Sequence, residues 1–141
     1  MPDLVLDAWA IMAWLKGQEP AAARVRLLLE AADRRERILA MNMINVGEVF
    51  YLCVKAKDLA YGDRVLETLR SRIVTVSAED ELVMLAASLK ARHAISYADA
   101  FAAATAMLHD VPLVTGDLEF QAMATHEKTL KLEWIGHTGA S

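Results

Sequence analysis

Short apolar runs alternate along the chain with longer stretches whose apolar positions recur every three or four residues. The short runs are rich in Leu, Val and Ile, and they predict strands at about 3–7, 38–41, 73–76, 113–114 and 130–134. The periodic stretches predict helices at about 8–15, 21–35, 43–56, 59–71, 78–92 and 97–108. Strands that alternate with helices predict an α/β fold with a mostly parallel central sheet and helices on both faces.

Polar residues mark the starts of several predicted helices. Asn42 and Ser77 are placed to cap the helices that follow them. Ser96 opens the next helix, and Asp99 follows it three residues later, as in a capping box. The helix that Ser96 opens is apolar nearly all round, so we expect it to lie at the centre of the domain.

The length and composition predict one domain. The chain has 141 residues, of which 55% are hydrophobic, and this length is too short for two ordinary domains. Its apolar runs fall short of the ~20 residues of a membrane-spanning helix, and Asp3 and Asp7 interrupt any secretory leader. Cys53 is the single cysteine, which excludes an internal disulfide and a thiolate zinc cage. We therefore expect a cytoplasmic protein without a membrane partner.

The charge of the chain does not decide its partner. A formal net charge of −4 argues against nucleic acid, because phosphate binding normally depends on a basic surface. Two bound divalent cations would bring that charge to −4 + 4 = 0. Local basic clusters would then remain at 34–37, 70–72 and 90–92, although helix ends often carry such charges without binding anything.

Four acidic residues occupy positions where a folded domain has little structural need of them. Asp7 and Asp117 follow predicted strands, and ligands of open α/β sheets bind at the carboxyl ends of strands. Glu48 and Asp99 interrupt apolar helices, where a desolvated carboxylate needs a partner.

Each aspartate also has a structural alternative. Asp7 can cap the helix that begins at Ala8, Asp99 can belong to the capping box of Ser96, and Asp117 can make a turn. Glu48 has no such alternative, because it lies in mid-helix with no Lys or Arg within one turn.

Converging carboxylates repel one another unless a cation neutralises them. Oxygen ligands without clustered His or Cys favour Mg²⁺ or Mn²⁺, and the four His residues of this chain are scattered. Such an ion suits phosphodiester hydrolysis, although phosphatases and phosphoacceptor domains also carry acids at strand ends. A phosphoacceptor domain needs paired acids after its first strand, and a dehalogenase-type phosphatase needs Asp-x-Asp, where this chain has Asp7-Ala8-Trp9.

Four ordered segments, at 5–8, 45–49, 96–100 and 114–120, resemble the motifs of PIN-domain ribonucleases in order and spacing. The resemblance is greatest to the VapC type, the toxins of bacterial and archaeal toxin–antitoxin pairs, and it covers about residues 3–135. It implies a single PIN-like domain, which we place at 1–136 with a frayed tail at 137–141. It also implies an endoribonuclease that uses Mg²⁺ or Mn²⁺, forms homodimers and is neutralised by a small antitoxin.

The resemblance assigns roles to particular residues. Asp7, Glu48, Asp99 and Asp117 would be the metal ligands and water-activating acids, with Thr115 and Asn45 as polar support. Many relatives carry Ser or Thr two residues after the first Asp, where this chain has Trp9. A catalytically weak or inactive PIN-like module that binds RNA or protein is therefore the alternative. We expect Trp9 to pack against Met12 or a dimer partner, with stacking on an RNA base as the alternative. Glu119 is a possible extra acid, but we expect it to be solvated in a turn.

Overall fold

The computed structural model describes residues 1–138, which form an α/β domain. The strands within this range are β1 (Leu4–Leu6), β2 (Leu39–Asn42), β3 (Val74–Val76), β4 (Leu113–Thr115) and β5 (Leu132–Trp134). The helices within it are α1 (Ala8–Lys16), α2 (Ala21–Asp33), α3 (Met43–Ala56), α4 (Leu59–Arg72), α5 (Asp80–Arg92), α6 (Tyr97–His109) and α7 (Leu118–Ala124). No helix among these residues is long and apolar enough to cross a membrane.

The strands form one parallel sheet in the order β3-β2-β1-β4-β5, with β1 at its centre. Side chains of β1 point alternately to the two faces. Leu4 and Leu6 pack with α1 to α4, whereas Val5 packs with α5, α6 and α7. The predicted parallel sheet with helices on both faces is therefore confirmed.

Helix α6 lies at the centre of the domain, as its sequence predicts. Five of its alanines are at most 1% exposed, and this run of small side chains lets α6 lie close to α3, α5 and strands β1 and β2. These buried positions are Ala100, Ala102, Ala103, Ala104 and Ala106. The close packing fixes the first turn of α6, which contains Asp99, beside the carboxyl end of the sheet.

Two of the three predicted caps are confirmed. The Asn42 side chain accepts a hydrogen bond from the Ile44 N–H at 2.9 Å, and Ser96 Oγ accepts one from the Asp99 N–H at 3.0 Å. The Ser77 cap is wrong, because α5 begins only at Asp80. The Ser77 carbonyl instead accepts from the Glu79 N–H in a turn, and Asp80 and Glu81 place negative charge at the positive end of the helix.

Helix α7 was not predicted from the sequence, which indicated only a turn at Asp117. The helix has seven residues, too few for a clear 3.6-residue pattern, and it is held by the buried side chains of Phe120 and Met123. Asp117 caps it by accepting a hydrogen bond from the Glu119 N–H at 3.0 Å. Glu119 is exposed, as expected, but it lies in the first turn of this helix.

The predicted tail at 137–141 falls mainly on residues 139–141, which lie outside the described residues. His137 and Thr138 are exposed. The His137 carbonyl accepts a hydrogen bond from the indole N–H of Trp134 at 2.8 Å, so this residue is tied to the end of β5. The boundary at residue 136 stays a prediction.

Candidate metal centre

Four secondary-structure elements bring the predicted acids to the carboxyl end of the sheet. Asp7 follows β1 and Asp117 follows β4, and these two strands are hydrogen-bonded neighbours. Asp99 comes from the first turn of α6, and Glu48 comes from α3, which contacts α6. The structure therefore gathers side chains that are far apart in the sequence.

Three acidic side chains lie close together at this edge of the sheet. One carboxylate oxygen each from Asp99, Asp117 and Glu119 falls within 4.8 Å of the others. Burial is the main cause that raises the pKa of Asp7 and of Asp99; the charges of Asp99 and Asp117 add to it for Asp7, and the charge of Glu48 adds to it for Asp99. Asp99, Asp117 and Glu119 thus form one cluster, in which Glu119 comes from the helix that the sequence did not reveal, and the charges of Asp7 and Glu48 interact with it.

Asp7 is the most buried of these acids, at 1% exposure. Its Oδ1 accepts a hydrogen bond from the Ala10 N–H at 2.8 Å, and its Oδ2 accepts one from Thr115 Oγ1 at 2.5 Å. Burial raises the pKa of Asp7 to about 8, although both hydrogen bonds pull it down. Asp7 therefore caps α1, which is the structural role that the sequence offered as an alternative to metal binding. Its carboxyl group still needs a proton or a cation at neutral pH.

Asp99 is half-buried, and its surroundings also disfavour a bare negative charge. Burial raises the pKa of Asp99 to about 6, and the charges of Asp117, Glu48 and Glu119 add to the effect, while a hydrogen bond from the Ser96 hydroxyl opposes it. The cap of α6 itself uses the backbone N–H of Asp99. The capping box therefore accounts for the backbone of Asp99 and does not neutralise its carboxylate.

Two buried oxygens beside the acids have no hydrogen-bond partner among residues 1–138, namely Glu48 Oε1 and Asn45 Oδ1. The Asn45 amide donates to the Ala98 carbonyl at 2.9 Å, which ties α3 to α6 next to Asp99. Burial raises the pKa of Glu48, and the nearby Asn45 amide partly offsets this. Buried oxygens without donors require water or a cation, so these residues fit a hard divalent ion such as Mg²⁺ or Mn²⁺.

Thr115 connects the two strand-end acids. Its hydroxyl donates to Asp7 and accepts a hydrogen bond from the Asp117 N–H at 3.1 Å. The side chain is fully buried at 0% exposure, so it holds Asp7 and the start of α7 in a fixed relation. A hydroxyl thus reaches Asp7 from β4, while Trp9, which has no hydroxyl, lies two residues after Asp7 in α1.

Trp9 packs against a glycine that precedes Asp117. A Cβ atom added to Gly116 would lie 2.3 Å from Cη2 of Trp9 and 2.9 Å from Cα of Gly136. The indole ring is therefore in direct contact with the backbone of Gly116. The sequence predicted packing for Trp9 but gave no sign of this partner, which is more than 100 residues away along the chain.

We expect Gly116→Ala to lower the free energy of unfolding by about 1–3 kcal/mol, because the new methyl group must displace an indole ring or the Gly136 backbone. Gly47→Ala in α3 is the matched control, since no atom lies within 4 Å of the added Cβ. That control should stabilise the protein by up to ~1 kcal/mol through helix propensity. Urea unfolding of both variants checks the pair, and equal stability of Gly116→Ala and the parent would contradict the packing described.

Comparisons with known proteins agree with this architecture. Residues 4–125 match the family model of the PIN domain. A sequence search of curated proteins gives no significant match.

Several solved structures share the fold at low sequence identity. The structure of VapBC2 from Rickettsia felis, bound to a DNA fragment from their promoter, is 20% identical, with 92% of this chain and 96% of that chain covered and a TM-score of 0.70. VapBC-1 from nontypeable Haemophilus influenzae is 22% identical, with 93% and 96% covered and a TM-score of 0.67. VapC20 from Mycobacterium tuberculosis, a Sarcin-Ricin loop cleaving toxin, is 16% identical, with 85% and 94% covered and a TM-score of 0.67.

Proposed function

Because this chain belongs to the PIN domain family, we propose that it is a metal-dependent endoribonuclease that acts as the toxin of a toxin–antitoxin pair. The observation that carries the proposal is the acid cluster itself. Oxygens of Asp99, Asp117 and Glu119 lie within 4.8 Å of one another, beside buried and unpartnered oxygens of Glu48 and Asn45. Phosphodiester hydrolysis is the chemistry that such an oxygen-rich site suits best.

The proposed roles follow from burial and hydrogen bonding. Asp7, Asp99 and Asp117 would hold Mg²⁺ or Mn²⁺, and Glu48 would complete the set of acids around it. The ion, when bound, would supply a Lewis acid that polarises the phosphate and lowers the pKa of an attacking water. Glu48 has a buried Oε1 without a donor, so this oxygen is placed to accept a hydrogen bond from a water and to orient it.

Thr115 and Asn45 position these acids. Thr115 fixes Asp7 relative to Asp117 through its hydroxyl, and Asn45 fixes α3 relative to α6 through the Ala98 carbonyl. Positioning residues of this kind keep reacting groups in place before the substrate arrives.

The test is an RNA cleavage assay with purified protein, structured and single-stranded RNA, and Mn²⁺. We expect cleavage that EDTA stops and that Asp7→Asn removes. Cleavage that survives both EDTA and Asp7→Asn would place the activity elsewhere or in a contaminant. Tight RNA binding without metal-dependent cleavage would favour the alternative, a PIN-like binding module.

We further propose that the protein acts in the cytoplasm as a homodimer and is held inactive by a small antitoxin. The similar folds of VapBC complexes support a protein partner of this kind. A groove between α1 and α4 offers it an apolar surface, lined by Trp14, Leu15, Tyr61, Arg64, Val65 and Thr68. A disordered antitoxin segment can fold on this surface.

Co-expression with the product of a small upstream reading frame should give a stable complex without nuclease activity. An antitoxin Arg inserted among the acids would make charge-assisted bonds there and exclude the ion. Changing that Arg to Glu should therefore restore cleavage more than it weakens the complex. Copurification of the neighbour with cleavage left intact would show that the acid cluster is not its target.

A further inference from the structure

An apolar cavity of about 220 Å³ lies on the β5 side of the sheet, next to the segment that carries Asp117. It lies between the starts of α1 and α2 and the segments that follow β4 and β5. Its principal walls are Trp9, Pro20, Gly116, Leu118, Trp134 and Gly136. Two of the three tryptophans in the chain therefore face the same small space.

Two glycines make room for these indoles. The backbones of Gly116 and Gly136 touch, since a Cβ added to Gly136 would lie 3.0 Å from Cα of Gly116. The same added atom would lie 3.0 Å from Cζ2 of Trp134, just as one on Gly116 would collide with Trp9. A side chain at either position would push an indole ring aside, so the shape of the cavity depends on both glycines.

The Trp134 ring is held in place before any ligand binds. Its indole N–H donates to the His137 carbonyl at 2.8 Å, and its own carbonyl accepts from Arg24 Nη1 at 3.1 Å. Glu19, the acidic residue at the edge of the cavity, caps α2 by accepting a hydrogen bond from the Ala23 N–H at 2.7 Å. An aromatic wall fixed in this way loses little conformational entropy when a ligand stacks on it.

The cavity borders the segment that carries Asp117. Gly116 in its wall is bonded to Asp117, and Leu118 in its lining follows directly and is 70% exposed. An RNA whose phosphodiester lies over Asp117 can therefore place a neighbouring nucleotide at this cavity. The cavity is smaller than the roughly 300–1,000 Å³ of pockets that hold drug-sized molecules, and this size suits one ring system.

We propose that this cavity binds the nucleobase next to the scissile phosphate of the RNA substrate, by stacking on the tryptophans. The inference rests on the proposed nuclease function and adds a substrate subsite to it. The base is the part of a nucleotide that fits an apolar, aromatic space, whereas ribose and phosphate stay outside at the rim. Stacking accepts any base, so the subsite selects for the presence of a base more than for its identity.

The experiment compares the binding of short oligoadenylate with that of an oligonucleotide of equal length that carries abasic sites. Both probes bear the same phosphate charge, so their affinity ratio isolates the base. We measure the ratio in the Asp99→Asn background, where the probe should not be cut. Base stacking is worth ~1–3 kcal/mol, so oligoadenylate should bind roughly 5- to 150-fold tighter.

Trp134→Leu should bring this ratio close to one, while Trp134→Phe should keep most of it. Ala21→Leu, which adds methyl groups to another wall of the cavity, should also lower the ratio without removing an aromatic ring. Met84→Ala is the control, because this side chain of α5 is 67% exposed and lines neither this cavity nor the groove between α1 and α4. Thermal unfolding of each variant verifies that it is folded.

A ratio near one in the parent, or an unchanged ratio in both folded Trp134→Leu and Ala21→Leu, would overturn the proposal. If the Trp134→Leu and Ala21→Leu variants keep the affinity ratio of the parent but no longer hold a co-expressed antitoxin, the cavity binds the protein partner instead. Equal wild-type cleavage of RNA with and without an abasic site next to the scissile phosphate would refute the subsite and leave the nuclease function standing. Tighter binding of oligoadenylate than of the abasic probe, without metal-dependent cleavage of RNA, would support the subsite and refute the nuclease function.

Discussion

Replacing Asp99 with Asn should lower metal-dependent RNA cleavage at least about 100-fold. Changing a residue that only supports a metal ligand commonly lowers metal affinity or activity 10- to 100-fold, and changing a ligand itself should lower activity at least as much. Asp99 also lies close to Asp117 and Glu119, so its loss removes charge from the centre of the cluster. Initial rates of cleavage with saturating Mn²⁺ measure the effect.

The same variant should be as stable as the parent, or more stable, when metal is absent. Asn removes a negative charge that Asp117 and Glu48 repel, and the Ser96 cap is kept because it uses the backbone N–H of residue 99. Asp110→Asn is a matched control at the other end of α6, where Asp110 is exposed and paired with Lys131. If Asp99→Asn unfolds the protein while Asp110→Asn does not, the main role of Asp99 is structural.

Millimolar Mn²⁺ or Mg²⁺ should raise the melting temperature by roughly 5–10 °C. A ligand at a hundredfold excess over its Kd adds ~2.7 kcal/mol to the stability of the native state, and a domain of this size converts that energy into such a shift. The gain arises because the ion relieves repulsion among carboxylates that the fold holds together. Differential scanning fluorimetry with and without metal measures it, and Asp99→Asn should lose most of the shift.

The size of this metal effect should depend on pH. Asp7 has its pKa raised from 3.8 to about 8, and Asp99 from 3.8 to about 6. The metal-free folded protein therefore holds protons on these two acids that the unfolded chain releases, so their contribution to the free energy of unfolding is greatest below about pH 4 and decreases as the pH rises towards 8. Metal must displace these protons, so it should stabilise the protein more at pH 8 than at pH 6.

The measurement is a set of melting curves across this pH range, with EDTA and with Mn²⁺. The curves in EDTA should fall with rising pH, and the gap between the two sets should widen. A melting temperature that is unmoved by millimolar metal at every pH would count against a metal site. A metal effect that is larger at pH 6 than at pH 8 would contradict the raised pKa of the buried acids.

Much of the site was predictable because it follows from local rules. Asp7 and Asp117 come directly after apolar strands, and parallel strands place their carboxyl ends along one edge of a sheet. Glu48 stood out because a lone carboxylate in an apolar helix has no structural purpose. The structure brings these residues together with Asp99, while their catalytic and metal-binding roles remain proposals.

The features that the sequence did not predict depend on contacts between distant segments or on elements too short for a pattern. Helix α7 has seven residues, so the sequence favoured a solvated turn for Glu119 over a place beside Asp99. The contact of Trp9 with Gly116 joins α1 to the end of β4, and nothing in either segment alone indicates it. Ser77 matched a capping pattern, but α5 begins three residues later, at Asp80. The path of the chain after β3 sets this start, and the local sequence does not show it.

The most direct test of the account measures bound Mn²⁺ and the rate of RNA cleavage in the same samples, across one Mn²⁺ titration of the purified protein. If the acid cluster holds the catalytic ion, the cleavage rate should rise in proportion to metal occupancy, and Asp99→Asn should lose both together. Full cleavage in excess EDTA would contradict this account. So would an Asp99→Asn variant that binds Mn²⁺ and cleaves RNA as well as the parent does.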